Sequence, residues 1–174
     1  MPSSIYEATI PVFDQFLSSL SKLIDKAAAY AGERKIDPAV LLASRLRPDM
    51  FPLVRQVQTV CDWAKNVAAR LAGVEPPKFE DHEASFEDLK ARIAKTLDYV
   101  RSLDRHDVEA GAERLVVFPM GPNKMKMTGA DYAFHLGLPN FYFHMTTAYG
   151  ILRHNGLEIG KRDFMGAVPG ISPA

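Results

Sequence analysis

The chain has 174 residues, no formal net charge at pH 7, 24% charged residues and 47% hydrophobic residues, which is the composition of one ordinary globular domain over residues 1–174. Balanced charge excludes the clustered positive surface that nucleic acids and anionic lipids require, so neither partner is expected. The lone cysteine, Cys61, excludes an internal disulfide. The sequence also lacks a membrane-length apolar run and a signal-peptide pattern, which predicts a cytoplasmic location.

The first predicted element is a long amphipathic helix over residues 5–31. Apolar side chains recur there at the helical period, and Gly32 is a natural stop. Pro11 lies inside the pattern, either in the first turn or at a kink. A short helix over residues 38–45 follows, with Asp37 as its N-cap and a proline as its first residue.

A second long helix is predicted to begin after Asp49, with Pro52 in its first turn, and to end at Gly73. Its apolar stripe steps by three and four residues, which is typical of a seam in a helix bundle. The stripe consists of Met50, Val54, Val57, Cys61, Ala64, Ala68 and Leu71. Cys61 is therefore expected to be inert packing. Residues 74–84 contain Pro-Pro and no periodicity, which predicts a long exposed connection.

The third long helix is predicted over residues 86–103, where Ser85 and Asp88 resemble a capping box at its start. Residues 113–128 are β-branched in their first half and contain a Gly-Pro turn. This pattern predicts a small β-hairpin or an extended excursion.

The fourth long helix is predicted over about residues 139–155. A helical turn that starts at Thr128 or Asp131 precedes it, and Gly156 ends it. The tail from Ile159 onward is rich in glycine and proline and is predicted to be irregular. Four long helices predict an all-α four-helix bundle, and the long connection at residues 74–84 permits the second and third of them to run parallel.

Three stretches of the sequence give a resemblance to a known family: MPSSIYEATIPVF at the start, LRPDMFPLVRQVQ at the second long helix, and FHMTTAYGILRHNG in the fourth. On these stretches the chain resembles an uncharacterised, domain-of-unknown-function branch of the DinB/YfiT-like superfamily. The resemblance implies an up-down-down-up four-helix bundle and a homodimer. Better-known members bind a divalent metal through one histidine of the second helix and an H-x-x-x-H pair on the fourth, and some are thiol-dependent transferases or isomerases.

The metal ligands of that superfamily do not carry over to this sequence residue by residue. With the ends of the fourth helices aligned, the second motif histidine falls on His144 and the first on Asn140. In the second helix, Gln56 or Gln58 is the nearest polar stand-in for the third histidine. Neutral amides are poor ligands for zinc or nickel. The sequence therefore predicts no metal cofactor, with His144 as the one candidate ligand if such an ion binds.

His144 lies on an apolar face of the fourth helix and is expected to point into the bundle. A buried neutral imidazole without a partner costs about 1–3 kcal/mol, so a polar neighbour is expected. One interpretation is a hydrogen-bonded core histidine, and the other is a polar pocket that binds a small molecule or performs acid–base work. The candidate pocket residues around His144 are Asn140, Gln56, Gln58, Thr147 and Tyr149. His154, near the helix end, is predicted to interact with free carbonyls instead.

Three functional hypotheses follow, and the sequence leaves open whether any reaction is catalysed. The first is an enzyme-like or ligand-binding bundle that lacks the three-histidine metal site. The second is a non-catalytic homodimeric module, whose aromatic fourth helix or Met-rich hairpin makes the interface. The third, implied by the resemblance, is a divalent-metal-dependent enzyme of the thiol transferase type.

Overall fold

The computed structural model describes residues 4–172 and is mostly helical, with one two-stranded antiparallel hairpin before the last long helix. This confirms the predicted helical content and the predicted position of the hairpin. The elements in chain order are α1 (Ile10–Arg34), α2 (Pro38–Ala43), α3 (Leu53–Ala72), α4 (Phe86–Ser102), α5 (Arg105–Glu109), β1 (Leu115–Met120), β2 (Asn123–Thr128), α6 (Gly129–Asp131), a π-helical segment (Tyr132–Gly137), α7 (Leu138–His154) and α8 (Lys161–Met165). Within the described range, no helix combines the length and the apolar character needed to cross a membrane.

The boundaries of α1 differ from the prediction at both ends. Residues 5–9 form turns rather than helix, so Pro11 falls in the first turn and causes no kink. Gly32 does not stop the helix, since it has only open space around its α-carbon and the backbone remains helical to Arg34. The helix ends at Lys35, which adopts the left-handed conformation with φ of 55°.

The start of α3 also corrects the prediction. The helix begins at Leu53, with Pro52 in an extended conformation at the N-cap position. Asp49 lies outside the helix, where its carboxylate is 3.9 Å from the guanidinium of Arg47. The predicted end is confirmed, because Gly73 takes a left-handed φ of 77°.

The predicted caps of α2 and α4 are both confirmed. The Asp37 carboxylate accepts a hydrogen bond from the backbone N–H of Ala39 at 2.9 Å. Ser85 and Asp88 exchange side-chain and backbone hydrogen bonds at 3.0 Å in each direction, which forms a complete capping box.

Two short helices were not predicted from the sequence. One is α5, which the carboxylate of Asp104 caps. The other is α8, which corrects the prediction of an irregular tail. It packs on α1, where Ser19 Oγ donates to the Asp163 carbonyl at 2.6 Å and Lys26 pairs with the Asp163 carboxylate.

The long helices pack around one apolar core. Helix α1 lies against α4, and α3 contacts both α4 and α7. The rings of Phe13 on α1 and Phe141 on α7 meet edge to face in this core, with centroids 5.0 Å apart. The contact between α3 and α7 is the one that positions the candidate site.

The connection over residues 74–84 is mostly exposed, as predicted, and it is also anchored to the helices beneath it. Arg92 of α4 is buried beneath it, with 2% of its side chain exposed, and reaches Asp62 at 2.9 Å, Glu83 at 3.0 Å and Asp81 at 3.1 Å. Three cations surround the half-buried ring of Phe79, the nearest being Lys95 Nζ at 4.2 Å from its centroid. Ion pairs and cation–π contacts carry no periodic signal, which is why the sequence did not reveal this anchoring.

Candidate functional site

The candidate site joins His144 on α7 to Gln56 on α3. The Nδ1 atom of His144 lies 2.7 Å from Oε1 of Gln56, a hydrogen bond between residues that are distant in the sequence. Gln56 is buried and His144 is half-buried at the edge of the α3–α7 contact. The structure therefore supplies the polar partner that the apolar face of α7 was predicted to require.

The surrounding hydrogen bonds assign the protons in this pair. The amide nitrogen of Gln56 donates to the carbonyl of Phe51 at 3.1 Å, which turns the amide oxygen towards His144. Since that oxygen only accepts, the imidazole must donate from Nδ1. The neutral ring then keeps its lone pair on Nε2, and no side chain or backbone group in residues 4–172 hydrogen-bonds that atom.

Two exposed aromatic rings flank His144. The ring of Phe51 lies nearly parallel to the imidazole, with centroids 6.2 Å apart and an angle of 18°. The ring of Phe143 meets it edge-on at 5.1 Å. These rings are 49% and 57% exposed, so a planar molecule can reach them from solvent.

The electrostatic surroundings favour the neutral imidazole. Burial lowers the pKa of His144 below its usual 6.5, and the positive charge of Arg55 lowers it further. The Arg55 guanidinium lies 5.7 Å from the centroid of the Phe51 ring. At neutral pH the site therefore presents an uncharged proton acceptor close to a cation.

None of the other four candidate residues hydrogen-bonds His144. The amide nitrogen of Gln58 donates to the carboxylate of Glu83 at 2.7 Å, in the connection between α3 and α4. Asn140, Thr147 and Tyr149 each donate to a backbone carbonyl. The acceptors are Leu136 at 2.8 Å for Asn140, Phe143 at 2.7 Å for Thr147, and Ile159 at 3.4 Å for Tyr149.

Phe51 and Arg55 are site residues that sequence reasoning missed. Both lie in the stretch that enters the second long helix, and a spacing of four residues brings them together at the start of α3. The signal was an aromatic residue directly before a proline, outside the apolar stripe. That signal is weak, because exposed aromatic residues also occur without any function.

The side chains around His144 do not form a set of ligands for zinc or nickel. In residues 4–172, the one group of three acidic or imidazole side chains close enough to share an ion is Asp104, His106 and Asp107, and all three are exposed. Asp104 already caps α5. His144 has an amide at its Nδ1 side, and the Asn140 amide is turned to the Leu136 carbonyl. One imidazole with amides lacks the nitrogen, sulfur or carboxylate ligands that these metals prefer.

Comparison with known proteins supports the resemblance drawn from the sequence. Residues 5–165 match the family described as "Domain of unknown function (DUF1993)". The crystal structure of a DinB family member protein from Shewanella denitrificans, at 1.83 Å resolution, is similar to this chain with a TM-score of 0.89. The two share 43% sequence identity, over 97% of this chain and 95% of that chain. No curated protein matches the sequence.

Proposed function

This chain belongs to the DUF1993 family and is a DinB-like protein, and on that premise we propose that it binds a small molecule at His144 without a metal ion. The observation that carries the proposal is the 2.7 Å hydrogen bond between His144 Nδ1 and Gln56 Oε1. It fixes the ring so that the Nε2 lone pair is available to a ligand. A packed histidine would also need such a partner, and what supports binding here is that Nε2 is left as an acceptor between two exposed aromatic rings.

The chemistry of the surrounding side chains defines the class of ligand. Nε2 accepts a hydrogen bond, so the ligand carries a hydroxyl or an N–H group. The rings of Phe51 and Phe143 favour a flat, apolar body. The Arg55 guanidinium, which pairs with Asp81 in the structure, has further N–H donors that favour a carboxylate. A hydroxylated aromatic acid combines all three features, and a neutral imidazole can also accept its hydroxyl proton.

We also propose that residues 1–174 form a single domain and that its four long helices form an up-down-down-up bundle. The packing of α1 on α4 and of α3 on α7 supports this topology. The connection over residues 74–85 also supports it, since it is long enough to return the chain and leave α3 and α4 parallel. The cytoplasmic location stays a prediction from the sequence.

The test uses 4-hydroxybenzoate as the probe and follows the side-chain nitrogens of His144 by NMR. We expect a shift of Nε2 that saturates with probe concentration, and we expect His144→Gln to abolish binding. His154→Gln is the matched control, because His154 is exposed on the same helix and is expected to leave the affinity unchanged. Equal affinity in His144→Gln and wild type would refute the proposal.

The metal-dependent alternative is tested separately. Protein incubated with zinc and nickel and then desalted is expected to retain less than one ion per chain at His144. The variant Gln56→His/Asn140→His supplies two further imidazoles, one of them four residues before His144 on the same helix face, and is expected to gain metal. One ion per wild-type chain that is lost in His144→Ala would establish the metal-dependent reading instead.

The homodimeric alternative has one specific observation in its favour. Helix α7 and the π-helical segment before it expose two large aromatic side chains, Phe134 at 42% and Phe143 at 57%. Aromatic residues are enriched at protein interfaces. We propose that the exposed ring of Phe143 on α7 contributes to the dimer contact, and a light-scattering mass that stays monomeric at millimolar concentration would count against it.

A further inference from the structure

The hairpin leaves the edge of β1 without a partner. Its sheet has two strands, and β2 covers only one side of β1. In residues 4–172, no backbone or side-chain group hydrogen-bonds the peptide groups of Leu115 or Val117 on the other side. An edge strand with unpaired N–H and C=O groups is a template for another extended chain.

The register shows which peptide groups face outward. Leu115 lies opposite Thr128, and the N–H of Gly129 donates to the carbonyl of Arg114 at 2.8 Å. Leu115 therefore belongs to a non-hydrogen-bonded pair, and so do Val117 and Pro119 by alternation. The peptide groups of these three residues point away from β2. Pro119 has no N–H to offer, which is the position where an edge strand tolerates proline.

A groove runs alongside this free edge. A cavity of about 450 Å³ is lined by residues Leu115 to Pro119 of β1 and by the chain that follows α3, from Gly73 to Pro76. The outward side chains of Leu115 and Val117 are 60% and 55% exposed. The groove thus offers both a backbone edge and apolar side-chain contacts.

Positive charge is in excess along the groove. Arg70, Arg114 and Lys124 line it, against a single carboxylate from Glu75. None of the three cations makes an ion pair within the described part of the chain. Arg114 donates to the Leu71 carbonyl and Arg70 to the Tyr132 hydroxyl, so both remain available to an acidic group.

The other edge of the hairpin is different. On β2 the outward residues opposite Val117 and Pro119 are Lys126 and Lys124. Lysines on an edge strand oppose pairing with a further strand, and no groove residue other than Lys124 comes from β2. The β2 edge of the hairpin is therefore protected against pairing with a further strand, whereas the β1 edge is open to it.

We propose that the β1 edge binds an acidic, extended segment of a partner protein by strand addition. The segment pairs its backbone with the outward peptide groups of Leu115 and Val117, and its carboxylates meet the cations of the groove. A second copy of this chain fits less well, because symmetric pairing of two β1 edges would bring the same unpaired cations together.

The probe is a fluorescein-labelled heptapeptide of alternating glutamate and valine, and the reference peptide replaces each glutamate with lysine. We expect fluorescence anisotropy to show binding of the acidic peptide alone. We also expect the amides of Leu115 and Val117 to exchange with deuterium more slowly in the complex, since only strand addition protects those two groups. An acidic peptide that is N-methylated at every residue, and so can pair along neither edge of its backbone, is expected not to bind.

The variants compare two neighbouring lysines. Lys124→Glu reverses a charge in the groove and is expected to weaken binding about tenfold. Lys126→Glu makes the same change on the same strand outside the groove and is expected to have a much smaller effect. Equal binding of both peptides, equal effects of the two variants, or protection of Leu115 and Val117 by dimer formation without peptide would overturn the proposal.

Discussion

Gly129 at the start of α6 lies directly against the backbone of Gly111, so that a β-carbon at residue 129 would stand 1.9 Å from the Gly111 carbonyl oxygen. A β-carbon at residue 111 would in turn stand 2.1 Å from the carbonyl oxygen of Leu71 at the end of α3. Three backbone segments therefore meet at the base of the hairpin without side chains between them. Each glycine is required there for space and not for an unusual φ.

The first prediction concerns this contact. Gly129→Ala is expected to lower the free energy of unfolding by about 1–3 kcal/mol, because two rigid backbone segments must separate to admit the methyl group. Urea denaturation measures the change. Gly32→Ala is the control, since Gly32 has open space around it inside α1, and it is expected to raise stability by up to about 1 kcal/mol. Similar effects of both variants would contradict the close contact.

The second prediction concerns Arg92. Arg92→Met leaves the partly buried Glu83 carboxylate without a cation and Asp62 with Lys65 alone, and it is expected to cost about 3–5 kcal/mol in urea denaturation. Arg101→Met, also on α4, breaks an exposed pair with Asp14 and is expected to cost less than about 1 kcal/mol.

The loop supplies a second measurement for the same variant. Because Arg92 also bonds the Glu80 carbonyl at 3.1 Å, its loss is expected to expose residues 74–85 to limited proteolysis under conditions where the helices remain folded. Unchanged cleavage of this loop in Arg92→Met would show that the ion pairs do not anchor it.

The third prediction concerns Cys61. Burial raises the pKa of its thiol to about 12, so at pH 8 the unreactive protonated thiol predominates. The native protein is therefore expected to resist a disulfide reagent and to react fully in urea. The exposed thiol of Ser102→Cys in a Cys61→Ala background is the control and is expected to react at once. Rapid native-state labelling of Cys61 would contradict the burial.

The fourth prediction concerns pH. Because burial lowers the folded-state pKa of His144 below 6.5, the unfolded chain binds more protons than the folded chain between the two pKa values. This contribution to stability is fully present above pH 6.5 and is lost as pH falls through the folded-state pKa. Urea denaturation at pH 7.5 and 5.5 is expected to show a smaller loss of stability in His144→Gln than in wild type. His154→Gln is expected to behave as wild type does.

The helices were predictable from sequence because each buries one stripe of apolar side chains. The seam of α3 that includes Cys61 is fully buried at its centre, and the hairpin follows from its β-branched run and Gly-Pro turn. The helix ends were less predictable. Glycine is the residue type that most often ends a helix, yet nothing in the surroundings of Gly32 requires the chain to leave the helix there.

The sequence predicted which two helices form the candidate site, but it did not predict which side chain hydrogen-bonds His144. Gln56 and Gln58 are two residues apart, which places them about 200° apart around α3. The sequence does not give the rotation of α3 relative to α7, so it does not decide which amide meets His144. In the structure Gln56 faces α7, while Gln58 bonds Glu83 on the other side.

The π-helical segment Tyr132–Gly137 has a consequence for tracing ancestry in this family. A π turn holds one residue more than an α turn, so it records an inserted residue without breaking the helix. Deleting one residue there would restore regular α geometry and leave the helices on either side in nearly the same rotational register. Alignments that run through this segment without a gap would shift Asn140 and His144 by one position, and homologous positions would then be assigned to the wrong face.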